Sequence, residues 1–452
     1  MKTINPATEQ VIREYPEHTS SEVKNIIEAV HSEWLTWKKT SFEQRSVLFR
    51  NAAGILLERK ETYARLITEE MGKIIRESLS EVEKCANACN YYADHAAGLL
   101  EDQVIPTDAS RSLVTFKPMG VILAVMPWNF PFWQVFRFAV PSIMAGNAAV
   151  LKHASNVPGC SLAIEEIFRD AGFPCNLFRS LIIPSAEVGP VVADPRIVAA
   201  TLTGSKLAGS EVASLAGKHI KKTVLELGGS DAFIVLEDAD MDKAAKTAVT
   251  ARMINQGQSC IAAKRFIVVK SRATEFETRV KFALESLKIG DPLDMQTDVG
   301  PLAHKDIAVE IDKQVRRSVA AGARLVLGGL PVKRTGFYYS PTLLADVKKG
   351  MPVYSEETFG PVVSIISVND EEEAIAVAND SEFGLGGSVW TEDLEHGEAV
   401  ARKIETGAVF INGLTKSDPR LPFGGIKKSG YGRELGESGI REFVNVKTIW
   451  IG

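Results

Sequence analysis

The chain has 452 residues, enough for two or three domains of ~150 residues with a cleft between them. Hydrophobic residues make up 45%, charged residues 24%, and the formal net charge is -5, so the composition is that of a globular protein without the basic excess of a nucleic-acid-binding surface. No run approaches the ~20 apolar residues of a membrane span, the opening MKTINPATEQ lacks the pattern of a secretory signal, and five scattered cysteines do not make a disulfide framework. The expectation is a cytoplasmic protein with reduced thiols that binds neither nucleic acid nor membrane.

In chain order, HTSSEVKNIIEAVHSEWLTW opens with Ser/Thr caps and places apolar residues at three- and four-residue spacing, which predicts a helix. EQRSVLFRNAAGILLERKETYARLITEEMGK repeats the pattern. Cys85 and Cys89, four apart, share a helix face as packing residues, since no Cys or His pair follows at zinc-site spacing. Then LVTFKPMGVILAVMP alternates and turns continuously apolar, the pattern of an edge strand running into a buried one. The short apolar runs AAVLKH, AATLTG, TVLEL, AFIVL and RFIVV lie between helical stretches such as VPGCSLAIEEIFRDAG and ADMDKAAKTAVTARMIN. That rhythm predicts βαβ units with parallel sheets, and its return after residue 228 predicts two α/β domains. The tail FVNVKTIWIG is a terminal strand in need of a partner, either its own LVTF segment or another subunit.

Four segments carry candidate chemistry. Cys260, in Asn255-Gln256-Gly257-Gln258-Ser259-Cys260, follows a polar, Gly-containing loop where a thiol is exposed enough to react, although most lone cysteines only pack. Glu226, in LELGG, ends an apolar strand, where burial raises a carboxylate toward general-base range; a salt-bridged strand end is the ordinary alternative. Asn129, in PWNFP, is a neutral amide fixed between aromatic and proline residues, suited to an oxyanion or simply to a turn. Thr203-Gly204-Ser205-Lys206-Leu207-Ala208-Gly209 lies between a strand-like and a helix-like run and fits a phosphate on a helix N-terminus, though Gly and Ser also make plain βα turns.

INPAT, PWNFP, LK, TGS, ELGG, GQSC, EETFGP and PFGGIKKSGYGRE occur in this order over nearly the whole chain, and together they resemble the NAD(P)-dependent aldehyde dehydrogenase superfamily. PWNFPFWQVFR, KHASNVPGC, ELGGSDAFIVLEDAD and INGLTKSDPRLPFGG resemble its bacterial succinate-semialdehyde dehydrogenase branch. The resemblance implies that Cys260 attacks an aldehyde as thiolate and that the Asn129 amide and the Cys260 backbone N–H hold the alkoxide. Hydride passes to NAD or NADP, and Glu226 deprotonates the water that hydrolyses the thioester. Relatives that pass the acyl group to coenzyme A usually lack this Glu, so a free acid product is implied. The resemblance also assigns Lys152 to the adenosine ribose, Gly204 and Ser205 to the pyrophosphate, Glu357 and Phe359 to the nicotinamide ribose and ring, and Trp128 to the wall of the cofactor site. Where NAD-preferring members often carry a Glu, three residues after the lysine, this chain has Ser155, which leaves NADP open.

Arg137 sits in the almost wholly apolar PFWQVFRFAVP, where a guanidinium must be paired. An acidic neighbour is one partner. The other is a substrate carboxylate, and this position, eight after Asn129, is where succinate-semialdehyde dehydrogenases place a carboxylate-binding arginine. Ser417 would assist and Trp133 shape the tunnel. A second such arginine, six before the nucleophile in some members, is Ile254 here, which leaves glutarate semialdehyde and broader aldehydes as alternatives. With Ile261 and Ala262 after the nucleophile, no vicinal cysteine is available. A silent relative acting as a binding protein would have no use for Cys260, Glu226 and Asn129 together, and a cofactor-free thioesterase none for Lys152, Ser205 and Glu357.

The architecture expected is a doubly wound, Rossmann-like coenzyme domain (1–110 and 130–226), a second α/β catalytic domain (227–418) and a small oligomerisation hairpin (111–129 and 437–452). The resemblance implies a homodimer or homotetramer. The partner expected is a small aldehyde bearing a carboxylate, with no metal.

Overall fold

The computed structural model describes residues 1–452. Helix Ser20–Trp37 starts at Thr19, whose hydroxyl accepts the Glu22 backbone N–H while the Glu22 carboxylate accepts from the Thr19 N–H. Ser41 and Gln44 make the same reciprocal cap for helix Phe42–Glu58, satisfying two helix-end donors each time. Val23, Ile26, Ile27 and Val30 form the buried stripe of the first helix. Helix Ile75–Leu99 buries Glu81, Cys85 and Cys89 along one face.

The first sheet has the order Gly430–Tyr431, Lys222–Glu226, Ile197–Thr203, Val121–Met126, Ala148–His153, Phe178–Ser180. All neighbours are parallel except Gly430–Tyr431, which runs antiparallel along the Glu226 end. Val121–Met126 is first of these strands in the chain, yet it has the second on one side and the fourth on the other. The winding reverses there, and in such sheets ligands sit outside the carboxyl ends at that point.

Five of the six residues of Val121–Met126 are buried, and both its edges are paired. The expected hairpin segment 111–129 is corrected accordingly. Arg111–Pro118 pairs antiparallel with the C-terminal strand Val444–Ile451 of the same chain, Arg111 opposite Ile451. Val121–Met126 instead joins the first sheet, because a continuous apolar run needs cover on both faces.

Leu227–Asp231 leads directly to a second sheet, ordered Arg324–Leu327, Thr342–Ala345, Val362–Val368, Arg265–Val269, Ala232–Val235, Gly386–Trp390, Ala408–Ile411. Its neighbours are parallel except Arg324–Leu327. Ala232 and Ile234 pack into the core on one face, Phe233 and Val235 into the core on the other, the two-residue period of a strand covered on both sides. The chain is thus an α/β protein with two largely parallel sheets. The loops entering the second sheet meet the carboxyl ends of the first, since Asn129 and Thr203 line the same cavity as Cys260 and Glu357. No helix is long and apolar enough to cross a membrane.

Candidate active site

After helix Met241–Met253 the chain turns sharply, with Asn255 and Gln256 at φ 50° and 55°, left-handed backbone that asparagine tolerates better than most residues. The turn is fastened from three sides. Glu77 accepts the Asn255 backbone N–H at 2.8 Å, and Asn255 Nδ2 donates to the backbone oxygens of Asn129 at 2.7 Å and Gln258 at 3.2 Å. Buried Lys264 donates to the carbonyls of Ser259, Cys260 and Ala262 at 3.1, 2.9 and 3.1 Å. Cys260 is left partly exposed in the cleft. Burial pushes its thiol up to about 12, against the lowering effect of Arg137 and Lys264, so a base or an added cation must act before it becomes nucleophilic.

Asn129 is buried, and its Nδ2 donates to the Gln258 carbonyl at 3.0 Å. An amide nitrogen carries two N–H groups, so a second is available beside Cys260. Glu226 ends strand Lys222–Glu226 with both carboxylate oxygens buried and without a hydrogen-bond partner. Burial raises its pKa well above the carboxylate range; the Arg137 charge opposes the rise, and Glu434 adds to it. A Cβ on Gly424 would stand 2.6 Å from Glu226 Oε1, and Gly424 also has φ +150°, so only glycine gives this carboxylate its room. A buried, unpartnered carboxylate whose charge reaches the Cys260 thiol is a candidate proton acceptor.

An outer cavity of about 220 Å³ brings together Trp128, Asn129, Gly204, Ser205, Cys260, Glu357 and Phe359. Ser205 caps helix Lys206–Lys218 by accepting the Ala208 N–H at 3.3 Å, so the positive end of that helix opens on the cavity. Glu357 accepts the Gly229 N–H at 2.9 Å and lies 3.8 Å from Lys264; a Cβ on Gly228 would collide with its carboxylate. The Trp128 ring stands edge-on to Phe359 at 5.8 Å and to His304 at 5.6 Å. Lys152 is outside this lining, its Nζ donating to Ser185 at 3.2 Å. Ser155 lines a neighbouring open hollow with Lys2 and Lys305. Helix end, carboxylate and aromatic walls are the donor set a dinucleotide requires: amides for phosphate, an acceptor for ribose hydroxyls, faces for a ring.

An inner cavity of about 120 Å³ shares Cys260 with the outer one and holds Trp133, Arg137 and Ser417. Arg137, expected to meet a substrate carboxylate, has one from its own chain: Glu434 is ion-paired with it. Its Nη2 also donates to Thr203 Oγ1 at 3.2 Å, and the guanidinium lies 4.5 Å over the Phe423 ring. Glu226 lines neither cavity.

Sequence reading missed three groups. Lys264 holds the nucleophile loop. Lys84 reaches the inner cavity from helix Ile75–Leu99, and its Nζ donates to Ser417 Oγ at 2.6 Å. Glu81, paired with buried Lys73, accepts the Phe132 and Trp133 backbone N–H groups at 2.9 Å each and so fixes the chain just after Asn129. For Glu81 and Lys84 the signal available was the spacing Glu77, Glu81, Lys84, which puts three charges on one face of helix Ile75–Leu99. Glu81→Ala strands a buried ammonium, and thermal or denaturant unfolding should show a loss of about 3–5 kcal/mol.

A family model described as the aldehyde dehydrogenase family matches residues 1–449. The chain is 56% identical over 449 residues to a probable succinate-semialdehyde dehydrogenase [NADP(+)] of Synechocystis sp., covering 99% of both chains. It is 48% identical over 456 residues to a succinate-semialdehyde dehydrogenase [NADP(+)] of Mycobacterium avium, covering 100% of this chain and 96% of the other. The crystal structure of succinic semialdehyde dehydrogenase from Streptococcus pyogenes with NADP+ superposes with a TM-score of 0.98 at 41% identity, covering 100% of this chain and 99% of that one. Motif order, paired cavities and these likenesses agree: the chain belongs to the aldehyde dehydrogenase family, oxidoreductases that work with NAD or NADP.

Proposed function

We propose that this aldehyde dehydrogenase oxidises succinate semialdehyde to succinate and prefers NADP+. The observation that carries the substrate is the inner cavity, where Lys84, Arg137 and Lys416 stand beside the nucleophile with no acidic side chain in the lining. Such a wall attracts an anionic tail. The names of the Synechocystis, Mycobacterium and Streptococcus relatives support both substrate and cofactor. Uncharged Ser155, in a hollow lined by Lys2, Lys305 and Asp306, supports NADP+ because a carboxylate at its own position, three residues after Lys152, is what would repel a 2'-phosphate, and none stands at that position.

In the mechanism, Cys260 gives its proton to solvent in the cleft and attacks the aldehyde carbon as thiolate, while Asn129 and the Cys260 backbone N–H donate to the alkoxide. Trp128, Phe359 and Glu357 orient the nicotinamide end of the cofactor; Gly204, Ser205 and Lys152 hold the phosphates and adenosine ribose. When bound, the dinucleotide supplies the acceptor for hydride. Glu226 then takes a proton from the water that cleaves the Cys260 thioester. Residues 1–110 and 130–226, extended to include Val121–Met126, form the dinucleotide part, and 227–418 the catalytic part.

The chain works as a homodimer or homotetramer in the cytoplasm. Strand Val444–Ile451 has one free edge and exposes Val446, Ile449 and Trp450, a surface that calls for a partner. Five free thiols suit a reducing compartment. The Arg137–Glu434 pair favours a second reading, in which Arg137 is structural and the substrate range is wider.

Initial rates with succinate semialdehyde, glutarate semialdehyde and butanal, each with NAD+ and NADP+, decide between them. We expect kcat/KM at least about tenfold higher for succinate semialdehyde than for butanal, as a charge-assisted hydrogen bond affords, and higher with NADP+. Equal values for all three aldehydes would favour the wider range.

A further inference from the structure

The Asn129 amide and the Cys260 backbone N–H are held by adjacent peptide units. Asn129 Nδ2 donates to the Gln258 carbonyl at 3.0 Å. The next carbonyl, of Ser259, has other partners: it accepts from Lys264 Nζ at 3.1 Å and from the Ala262 N–H at 3.2 Å. The Ser259 C=O and the Cys260 N–H belong to one peptide unit, and in a planar trans unit the two point in opposite directions. Whatever holds the Ser259 oxygen therefore aims the Cys260 N–H.

The carbonyl side of this turn is closed by protein. Lys264 is buried and gives its remaining hydrogen bonds to the Cys260 and Ala262 carbonyls at 2.9 and 3.1 Å, and a Cβ on Gly229 would stand 2.5 Å from the Cys260 oxygen. On the other side, the Cys260 N–H has no acceptor in the chain, and Cys260 lines both cavities. An ammonium has three N–H donors. With three carbonyls in place, Lys264 has none left for a substrate, so its influence passes through the backbone. Burial works against its charge, and Glu357 at 3.8 Å works for it. A cation on a carbonyl oxygen polarises the peptide and strengthens the N–H at its other end.

We infer that Lys264 is a positioning residue for the reaction, one that aims and polarises the Cys260 N–H toward the oxyanion formed when the thiol attacks the aldehyde. This rests on the two-donor oxyanion site of the mechanism proposed above.

The test compares two reactions of the same thiol, both with NADP+ present. The first is a single turnover with whichever of succinate semialdehyde and butanal is oxidised faster, followed by stopped flow as reduced cofactor; it passes through an oxyanion. The second is disulfide exchange with dithiodipyridine, which forms none, and the Cys260 phase is the one missing in Cys260→Ala. Both reactions need the thiolate, so the ratio of their rate constants at one pH cancels any change in thiol ionisation. Removal of one oxyanion donor costs roughly 10²–10³-fold, and Lys264→Met should lower the ratio at least about tenfold. A lysine that only fills its space, or only favours the thiolate, slows both reactions together, and an unchanged ratio in Lys264→Met would overturn the inference. Asn129→Ala separates the two levels of the argument. A ratio unchanged there would overturn the two-donor site itself, whereas a ratio that falls in Asn129→Ala and holds in Lys264→Met would overturn this inference alone. Where Lys264→Met does not fold, Lys264→Gln, which has lost the charge, is read by the same ratio with the same two outcomes.

Discussion

Cys260→Ala is expected to lower kcat by about 10⁴-fold or more while the protein still binds its dinucleotide. The size follows from removing a nucleophile that acts as a unit with its base and oxyanion donors. No other thiol can take over, because Cys85, Cys89 and Cys160 are buried and Cys175, though exposed, lines neither cavity. Alanine leaves the loop itself in place, since Lys264 grips its backbone carbonyls rather than the thiol. Steady-state rates give the loss, and the rise in melting temperature on adding NADP+ reports retained binding. Turnover near wild type would remove Cys260 from the chemistry.

Glu226→Gln should act later in the reaction. Glutamine keeps the shape at the end of strand Lys222–Glu226 but cannot accept a proton, so hydrolysis of the thioester should slow by about 10²–10⁴-fold while the first turnover persists. Pre-steady-state mixing should then show a burst of reduced cofactor followed by a slow phase. The pH dependence adds a sign. Burial raises the Glu226 pKa, ahead of the opposing effect of Arg137, and the group works as a base only when unprotonated. Deacylation should therefore rise with pH on a limb above the ordinary carboxylate range, and that limb should disappear in Glu226→Gln. Loss of cofactor affinity without a burst would assign Glu226 to structure instead.

The parts of this molecule readable in its sequence are those encoded locally. Thr19 caps its helix through Glu22, three residues on. Glu226 is buried because it ends an apolar strand, and Asn129 and Cys260 sit in loops whose composition marks them out, whereas Glu357 and Phe359 are assigned by the family resemblance alone. What escaped depends on contacts between distant segments. Lys84 meets Ser417 across 333 residues, and the partner of Arg137 is Glu434, inside PFGGIKKSGYGRE, a motif quoted only for the family resemblance. Local pattern predicts that a buried arginine has a partner; only the fold says which. The segment 111–129 shows the converse: the alternating LVTF run and the continuously apolar VILAVM run already differ as an edge strand and a buried one, and the structure pairs the first with the C-terminus and places the second in the first sheet.

The claim on which the rest depends is the covalent acyl group on Cys260. Glu226→Gln mixed with succinate semialdehyde and NADP+, quenched in acid and digested, should yield by mass spectrometry the peptide containing Cys260 with a succinyl group bound through sulfur, removable by hydroxylamine and absent when NADP+ is omitted. Reduced cofactor formed in the same sample with Cys260 unmodified, or with the acyl group on another residue, would contradict it.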